Sequence, residues 1–346
     1  MRAVVFDAVG RVRVADVEDP VIEEPRDAIV RVTLSAICGS DLHFLHGKTP
    51  IEPGEGIGHE AVGVVESVGA EAAGIEPGDR VVVSFNVVCG RCWFCRNGQT
   101  QLCEDFRNFG AGTFGGSLPG AQAERLRVPN ADVNLLSIPQ GVEDEAALFV
   151  GDIATSGYYA ASLGAIGPED VVAVVGAGPV GFFCVQAARA LGARRVFALD
   201  REPERLALAA RVGAEPVHVG ERHPATVLAE ATDGRGADVV IEAVGSVAAF
   251  ETAADVVRRG GRVVILGVYA SETVELQLGV YWARALDLRF AGVTPIHAWW
   301  GRTLDAIGDG RIDPRPLVSH RLPLEEAARG YELFAAREAT KVLLIP

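Results

Sequence analysis

Four cysteines sit on one short stretch, spaced Cys89-x2-Cys92-x2-Cys95-x7-Cys103. Thiolates at this spacing can enclose one Zn2+ tetrahedrally and leave no open position, so such a site is structural. An iron–sulfur cluster uses the same donors. No other pattern in the chain suggests electron transfer, so zinc is the favoured reading. A second pattern, Gly176-Ala177-Gly178-Pro179-Val180-Gly181, follows an apolar run and opens a helical one. Its first glycine permits a tight turn, the second lets backbone approach a pyrophosphate, and the third lets helix and strand pack closely. The helix N-terminus adds free N–H groups and a positive dipole end. Asp200 ends the next apolar run. An acid there accepts from a ribose 2′-OH and repels a 2′-phosphate. Arg201 beside it is the competing phosphate receptor. NAD is favoured over NADP.

Weaker signals lie outside these motifs. Cys38-Gly39-Ser40-Asp41-Leu42-His43 and Gly58-His59-Glu60 carry donors that alone read as ordinary core or hydrogen-bonded residues. Asp152 is more telling. It is an acid in an otherwise apolar, helix-compatible stretch over 143–165, and buried carboxylates are costly unless paired or bound to metal.

These residues need a scaffold, and 346 residues with 49% hydrophobic content predict two packed domains. With 46 acidic against 32 basic residues, a net charge of −14 excludes the electrostatic footprint of a nucleic-acid binder and disfavours anionic membranes. The N-terminal MRAVVFDAVGRVRV alternates like a strand and shows no secretory core. The uncharged run 171–188 is interrupted by Gly176, Gly178, Pro179 and Gly181, so it reads as strand, turn and helix. A cytoplasmic enzyme is expected. Short strands at 28–35, 61–68 and 80–84 predict an all-β, barrel-type first lobe. Strands at 171–175, 195–200, 238–243, 261–267 and 286–292 alternate with helices at 179–191 and 203–212, which predicts βαβ units and a parallel sheet. The last 50 residues read as turn-rich and are expected to rejoin the first lobe.

In this order, Cys38-Gly39-Ser40-Asp41, Gly58-His59-Glu60-Ala61-Val62-Gly63, the four-cysteine lobe, Gly151-Asp152, the glycine turn and Glu242-Ala243-Val244-Gly245 resemble the zinc-dependent medium-chain alcohol dehydrogenases over essentially the whole chain. Gly120-Ala121-Gln122-Ala123-Glu124 and Val128-Pro129 are similar to the bacterial, broad-specificity, NAD-dependent branch. The resemblance implies an α/β fold: a Rossmann doubly wound parallel sheet over 152–290, and a GroES-like β-barrel catalytic domain over 1–151 and 291–346. It implies reversible oxidation of primary or secondary alcohols to aldehydes or ketones, with hydride passing to NAD. It implies two zinc ions per subunit. Cys38, His59 and Asp152 would hold the catalytic ion and leave one position open; Cys89, Cys92, Cys95 and Cys103 would hold the structural one.

Other roles are also carried over by resemblance. Glu60 matches a carboxylate that can approach the catalytic metal. Ser40 matches a proton relay, and His43 its downstream acceptor, reached through the cofactor ribose. Gly176, Gly178, Pro179, Val180, Gly181, Asp200, Arg201 and Arg205 would take the adenosine and pyrophosphate part of NAD, with Lys341 a weaker candidate near the phosphates. Thr155 or Ser156, with Val244, Leu266, Val268 and Val293, would fix the nicotinamide. Phe85, Trp93, Phe109, Phe114, Trp299 and Trp300 are candidates for an apolar substrate wall. A homotetramer acting on a small molecule is implied, without nucleic acid or membrane. The nearest rival is a polyol (sorbitol-type) or L-threonine dehydrogenase. An aldehyde dismutase with tightly held NAD follows. A non-catalytic zinc-stabilised nucleotide binder is disfavoured, because Cys38, His59 and Asp152 are all present.

Overall fold

Strands that are apolar on both faces must be covered on both faces. In the second half of the chain they form one six-stranded, all-parallel sheet. Its order in space is Glu215–His218, Arg195–Asp200, Val171–Val175, Ala237–Glu242, Val257–Ile265, Asp287–Phe290. The order reverses between Val171–Val175 and Ala237–Glu242, the switch point where such sheets bind ligands. The helices Pro179–Ala190, Pro203–Arg211 and Pro224–Ala231 each start on a proline, whose fixed φ suits a first helical position. The computed structural model describes the whole chain except residues 117, 270–272 and 274 and the side chains of residues 113 and 114.

Backbone contacts divide the chain into two units, 1–152 with 295–308 and 314–346, and 153–294 with 309–313. The boundary falls after Asp152, so that residue belongs with the first unit.

The first unit is built on a mostly antiparallel seven-stranded sheet. Ala28–Ala36 pairs with Glu60–Val68, with Ala36 opposite Glu60. That register brings the segment after Ala36, which carries Cys38, to the same end as His59. Val30, Val32, Ala61, Val65, Val81 and Val83 fill the core beneath.

Two expectations are corrected. The stretch 143–165 is not one helix. It is a short helix Asp144–Ala147, a 3-10 turn Leu148–Gly151 and a helix Ile153–Leu163, with Asp152 at φ −152° and ψ −94° in the break. The break has a local cause. The Gly151 carbonyl accepts from the Phe85 N–H at 3.0 Å, and a Cβ on Gly151 would lie 2.3 Å from the Val83 carbonyl oxygen. The chain end is not mainly turns either: it holds helices Ile296–Gly308 and Ala327–Ala335. Ile296, Trp300, Thr303, Leu304 and Ile307 make a buried stripe at helical spacing, which the surrounding glycines and prolines obscure.

No helix among the described residues is long and apolar enough to cross a membrane.

At Gly181 a Cβ would lie 1.9 Å from the Gly176 carbonyl oxygen, which is backbone and cannot rotate away. Gly181→Ala should therefore cost about 1–3 kcal/mol through overpacking. We expect a lower melting temperature in thermal unfolding.

Candidate active site

Cys38, His59 and Asp152 offer ligand atoms that all lie within 4.8 Å of one another, and all three residues are buried. Cys38 Sγ is 3.7 Å and His59 Nε2 3.3 Å from Asp152 Oδ2. Ser40 Oγ stands 3.2 Å from the same imidazole nitrogen. The Phe85 ring meets the His59 ring edge-to-face at 6.1 Å. The donor set fits a borderline-soft divalent ion with three protein ligands. Its charge points the same way. Burial, then Glu60 and Asp152, push the Cys38 thiol pKa up. Burial alone would lower the pKa of His59, but Asp41, Cys38 and Asp152 outweigh it and raise it well above the usual imidazole range. A cluster so rich in acceptors lacks positive charge, which a divalent ion supplies.

Two residues here play parts that the sequence did not reveal. Asp41 is fully buried and places Oδ1 3.1 Å from His59 Nδ1. A carboxylate at that distance favours a proton on Nδ1 and leaves Nε2 toward Asp152, the orienting role of a partner behind a metal-bound histidine. Lys341 is also fully buried and forms an ion pair with Glu60 Oε2. It therefore lies in the first unit. Glu60 Oε1 has no protein partner. Burial raises the Glu60 pKa, and Lys341 opposes that shift.

The proton-relay candidates are less connected. His43 lies in the short helix Asp41–Leu45, and its N–H donates to the Ser40 carbonyl at 3.0 Å. Among the described residues no side-chain hydrogen bond joins His43 to Ser40. Burial first, then Lys48 and His46, lower the His43 pKa.

The sulfurs of Cys89, Cys92, Cys95 and Cys103 lie within 4.8 Å of one another, unlinked by disulfides. Backbone N–H groups point at them: Cys92 to Cys89 Sγ, and Cys89 and Asp105 to Cys103 Sγ, each at 3.3 Å. Such bonds favour thiolates, and at Cys92 the backbone N–H groups of Cys95 and Glu104 lower the pKa to about 6. Gly90 and Gly98 turn the loop at φ +72°.

In the second unit Gly176 turns at φ +92° and Gly178 caps the helix at Pro179. Asp200 Oδ2 accepts from the Ala177 N–H at 2.7 Å, and Oδ1 from Arg201 and Glu202 N–H groups. Arg205 Nη1 is 3.9 Å from Asp200, while Arg201 is exposed and turned to Glu202. Asp200 is thus braced at the tip of its strand, beside the glycine turn. Glu242 Oε1 accepts from Val244 and Gly245 N–H groups at 2.7 and 2.9 Å, and Tyr269 donates to Oε2 at 3.0 Å. This holds the strand ends open, with Val244, Val268 and Val293 exposed. Of the pair left undecided, Ser156 accepts from Thr294 Oγ1 at 2.8 Å, and Thr155 is fully buried.

Comparisons with known proteins show the family. Residues 24–140 match the alcohol dehydrogenase GroES-like domain, and residues 179–305 the zinc-binding dehydrogenase domain. An uncharacterized zinc-type alcohol dehydrogenase-like protein of Bacillus subtilis is 37% identical, covering 100% of both chains. The chain belongs to the zinc-dependent medium-chain alcohol dehydrogenases. The solved structure of alcohol dehydrogenase TADH from Thermus sp. ATN1 superposes with a TM-score of 0.97 at 45% identity, covering 100% of this chain and 99% of that one. L-idonate 5-dehydrogenase of Vitis vinifera is 33% identical over 87% of this chain and 82% of its own.

For this dehydrogenase the aromatic candidates divide. Only Phe85 touches the His59 cluster among the contacts above. Phe109 fills the sheet core, Trp300 is buried against His297, Trp299 lies under Arg302, and Trp93 is 62% exposed beside Phe94. The Phe114 side chain lies outside the described residues.

Removing Lys341 alone would leave Glu60 buried without a counter-charge. We expect Lys341→Met to cost about 3–5 kcal/mol in urea unfolding, and Glu60→Gln in the same chain to recover much of that.

Proposed function

We propose that this enzyme is an NAD(H)-dependent alcohol dehydrogenase that interconverts primary or secondary alcohols with aldehydes or ketones. The convergence of Cys38, His59 and Asp152 carries the proposal. These three would hold a catalytic zinc, and the four-cysteine loop a structural one. When bound, zinc stabilises negative charge developing at the substrate oxygen and NAD accepts the hydride.

The chain's own groups supply the rest. Asp41 holds the His59 ring with Nε2 toward the other ligands. Ser40 Oγ, at that same face, is placed to take the substrate's proton. Burial lowers the His43 pKa and favours its neutral ring, the form that can accept a proton and pass it to water. Glu60, held by Lys341, stands as a reserve carboxylate beside the ligands. The Gly176–Gly181 turn and the Pro179 helix start would receive the pyrophosphate, Asp200 the ribose, with Arg201 and Arg205 at the adenosine end. Thr155 or Ser156, the half-buried Leu266 and the exposed Val244, Val268 and Val293 would seat the nicotinamide. The Asp200 carboxylate at the tip of its strand would accept from ribose hydroxyls and repel a 2′-phosphate, which supports an unphosphorylated ribose.

A polyol substrate is the second reading, favoured by the similarity to L-idonate 5-dehydrogenase. Self-association to a homotetramer is supported by exposed Leu278, Val280, Trp282 and Phe290 on the second unit, since clustered exposed apolar groups mark interfaces.

Initial rates over simple alcohols, polyols and threonine, with NAD and NADP, before and after chelation, test this reading. Simple alcohols with NAD should lead, and chelation should abolish turnover. Cys38→Ala should lose one of two zinc equivalents and more than about a thousandfold in kcat/KM. A full complement of zinc in Cys38→Ala would end the reading. Asp200→Gly should shift the NAD:NADP ratio of kcat/KM toward NADP, and an unchanged ratio would remove Asp200 from cofactor choice.

A further inference from the structure

Behind the Cys38–His59–Asp152 cluster lies a second line of buried polar side chains from distant parts of the first unit. Asp41, Gln122 and Tyr331 are each no more than 1% exposed. Gln122 Nε2 is 3.0 Å from the Ala36 carbonyl oxygen and 3.3 Å from Asp41 Oδ2. Tyr331 Oη is 3.0 Å from Gln122 Oε1 and 3.4 Å from Asp41 Oδ2. Among the described residues, Asp41 has no lysine or arginine partner. Its charge is met by the Cys38 N–H at 2.9 Å, by Gln122 and by His59.

Donor arithmetic gives this line a direction. A phenol has one proton and an amide nitrogen has two. Gln122 Nε2 can reach two acceptors, Ala36 O and Asp41 Oδ2. Turned over, the amide would set its oxygen against both of those acceptors. The Tyr331 proton therefore goes to Gln122 Oε1, the closer acceptor. Burial, then Asp41, push the Tyr331 pKa well above its usual value, so that proton stays on the oxygen. The order is Tyr331 to Gln122 to Asp41 to His59, each group fixing the next.

Packing holds the line in place. Gly58 has φ +90°, and a Cβ there would lie 2.4 Å from Gln122 Cγ, so the residue before His59 gives up its side chain to let Gln122 pass. Tyr331 comes from helix Ala327–Ala335, where the missing side chain of Gly330 lets Ile37, next to Cys38, approach. The chain's last helix is thereby tied to both ligand-bearing loops.

We propose that Tyr331 and Gln122 are positioning residues for the metal site: they orient the Asp41 carboxylate, and through it hold the His59 imidazole and the Cys38 loop in ligand geometry. The inference rests on the metal reading given above. Neither residue touches substrate, cofactor or metal. Outer partners of metal ligands are worth tenfold or more in metal affinity, and this line extends that effect one and two residues further out.

The experiment measures zinc release from the full chain to a chelating dye, 4-(2-pyridylazo)resorcinol. The phase missing in Cys38→Ala reports this site, and the phase missing in Cys103→Ser reports the four-cysteine loop. Tyr331→Phe and Gln122→Met should each speed the first phase, on the order of tenfold, and leave the second unchanged. The double variant should be no faster than Gln122→Met alone, because Tyr331 acts through Gln122. General loosening would speed both phases and make the two effects add. Circular dichroism and urea midpoints establish which variants fold; if Tyr331→Phe does not, Gln122→Met carries the test. An unchanged first phase in the folded variants, or additive acceleration of both phases, overturns the proposal while the metal reading stands. A Cys38→Ala protein that keeps both release phases overturns the metal reading and this proposal together.

Discussion

Burying negative charge is the constraint on which the first unit depends. Asp41 and Glu60 are fully buried, Asp152 is 9% exposed, and all three crowd around the Cys38 thiol. Even after relaxation, each buried ion costs several kcal/mol unless it is paired and hydrogen-bonded. One lysine, Lys341, cannot balance three carboxylates. The fold meets the shortfall in two ways. Neutral donors converge on Asp41: the Cys38 N–H and the Gln122 amide. The ligand face itself, with Cys38, His59 and Asp152 mutually within reach, is left for a cation. Structure and chemistry thus share one requirement, since the groups that would bind metal are those the fold leaves least compensated.

The ligands and turns were legible because their signals are local. Four cysteines on one loop, or three glycines between a strand and a helix, declare themselves within 15 residues. Val171–Val175 and Arg195–Asp200 fall as the apolar runs predict. The partners were not legible, because their meaning lies in distant contacts. Lys341 is 281 residues from Glu60, and Tyr331 is 290 residues from Asp41. A lysine near the end of a chain and a tyrosine in a short amphipathic helix carry no local mark of burial. Asp41, only two residues from Ser40's neighbour Gly39, could have been found: an acid beside a candidate Cys ligand is a natural partner for a histidine.

The break at Asp152 was missed for a related reason. The apolar run over 143–165 is helix-compatible at every position. What ends the helix is a tertiary demand: Gly151 gives its carbonyl to Phe85 and sits too close to Val83 for any side chain. Propensity yields to such contacts, because one backbone hydrogen bond to another element redirects the chain. The departure from helical geometry is what lets Asp152 aim its carboxylate at Cys38 and His59 rather than along a helix face.

Glycines before ligands recur for that reason. Gly58 precedes His59 and yields space to Gln122; Gly151 precedes Asp152 and yields space to a neighbouring strand. In each case the missing Cβ lets the residue beside a ligand be packed by something else, and the ligand's backbone is fixed by that packing. A side chain at either glycine would displace buried polar groups or backbone, not flexible surface atoms. The Gly-His and Gly-Asp pairs are therefore positional devices. They convert close backbone approach, which costs a residue its side chain, into angular control over the one that follows, and a metal site needs that control because its ligands must be held to within fractions of an ångström.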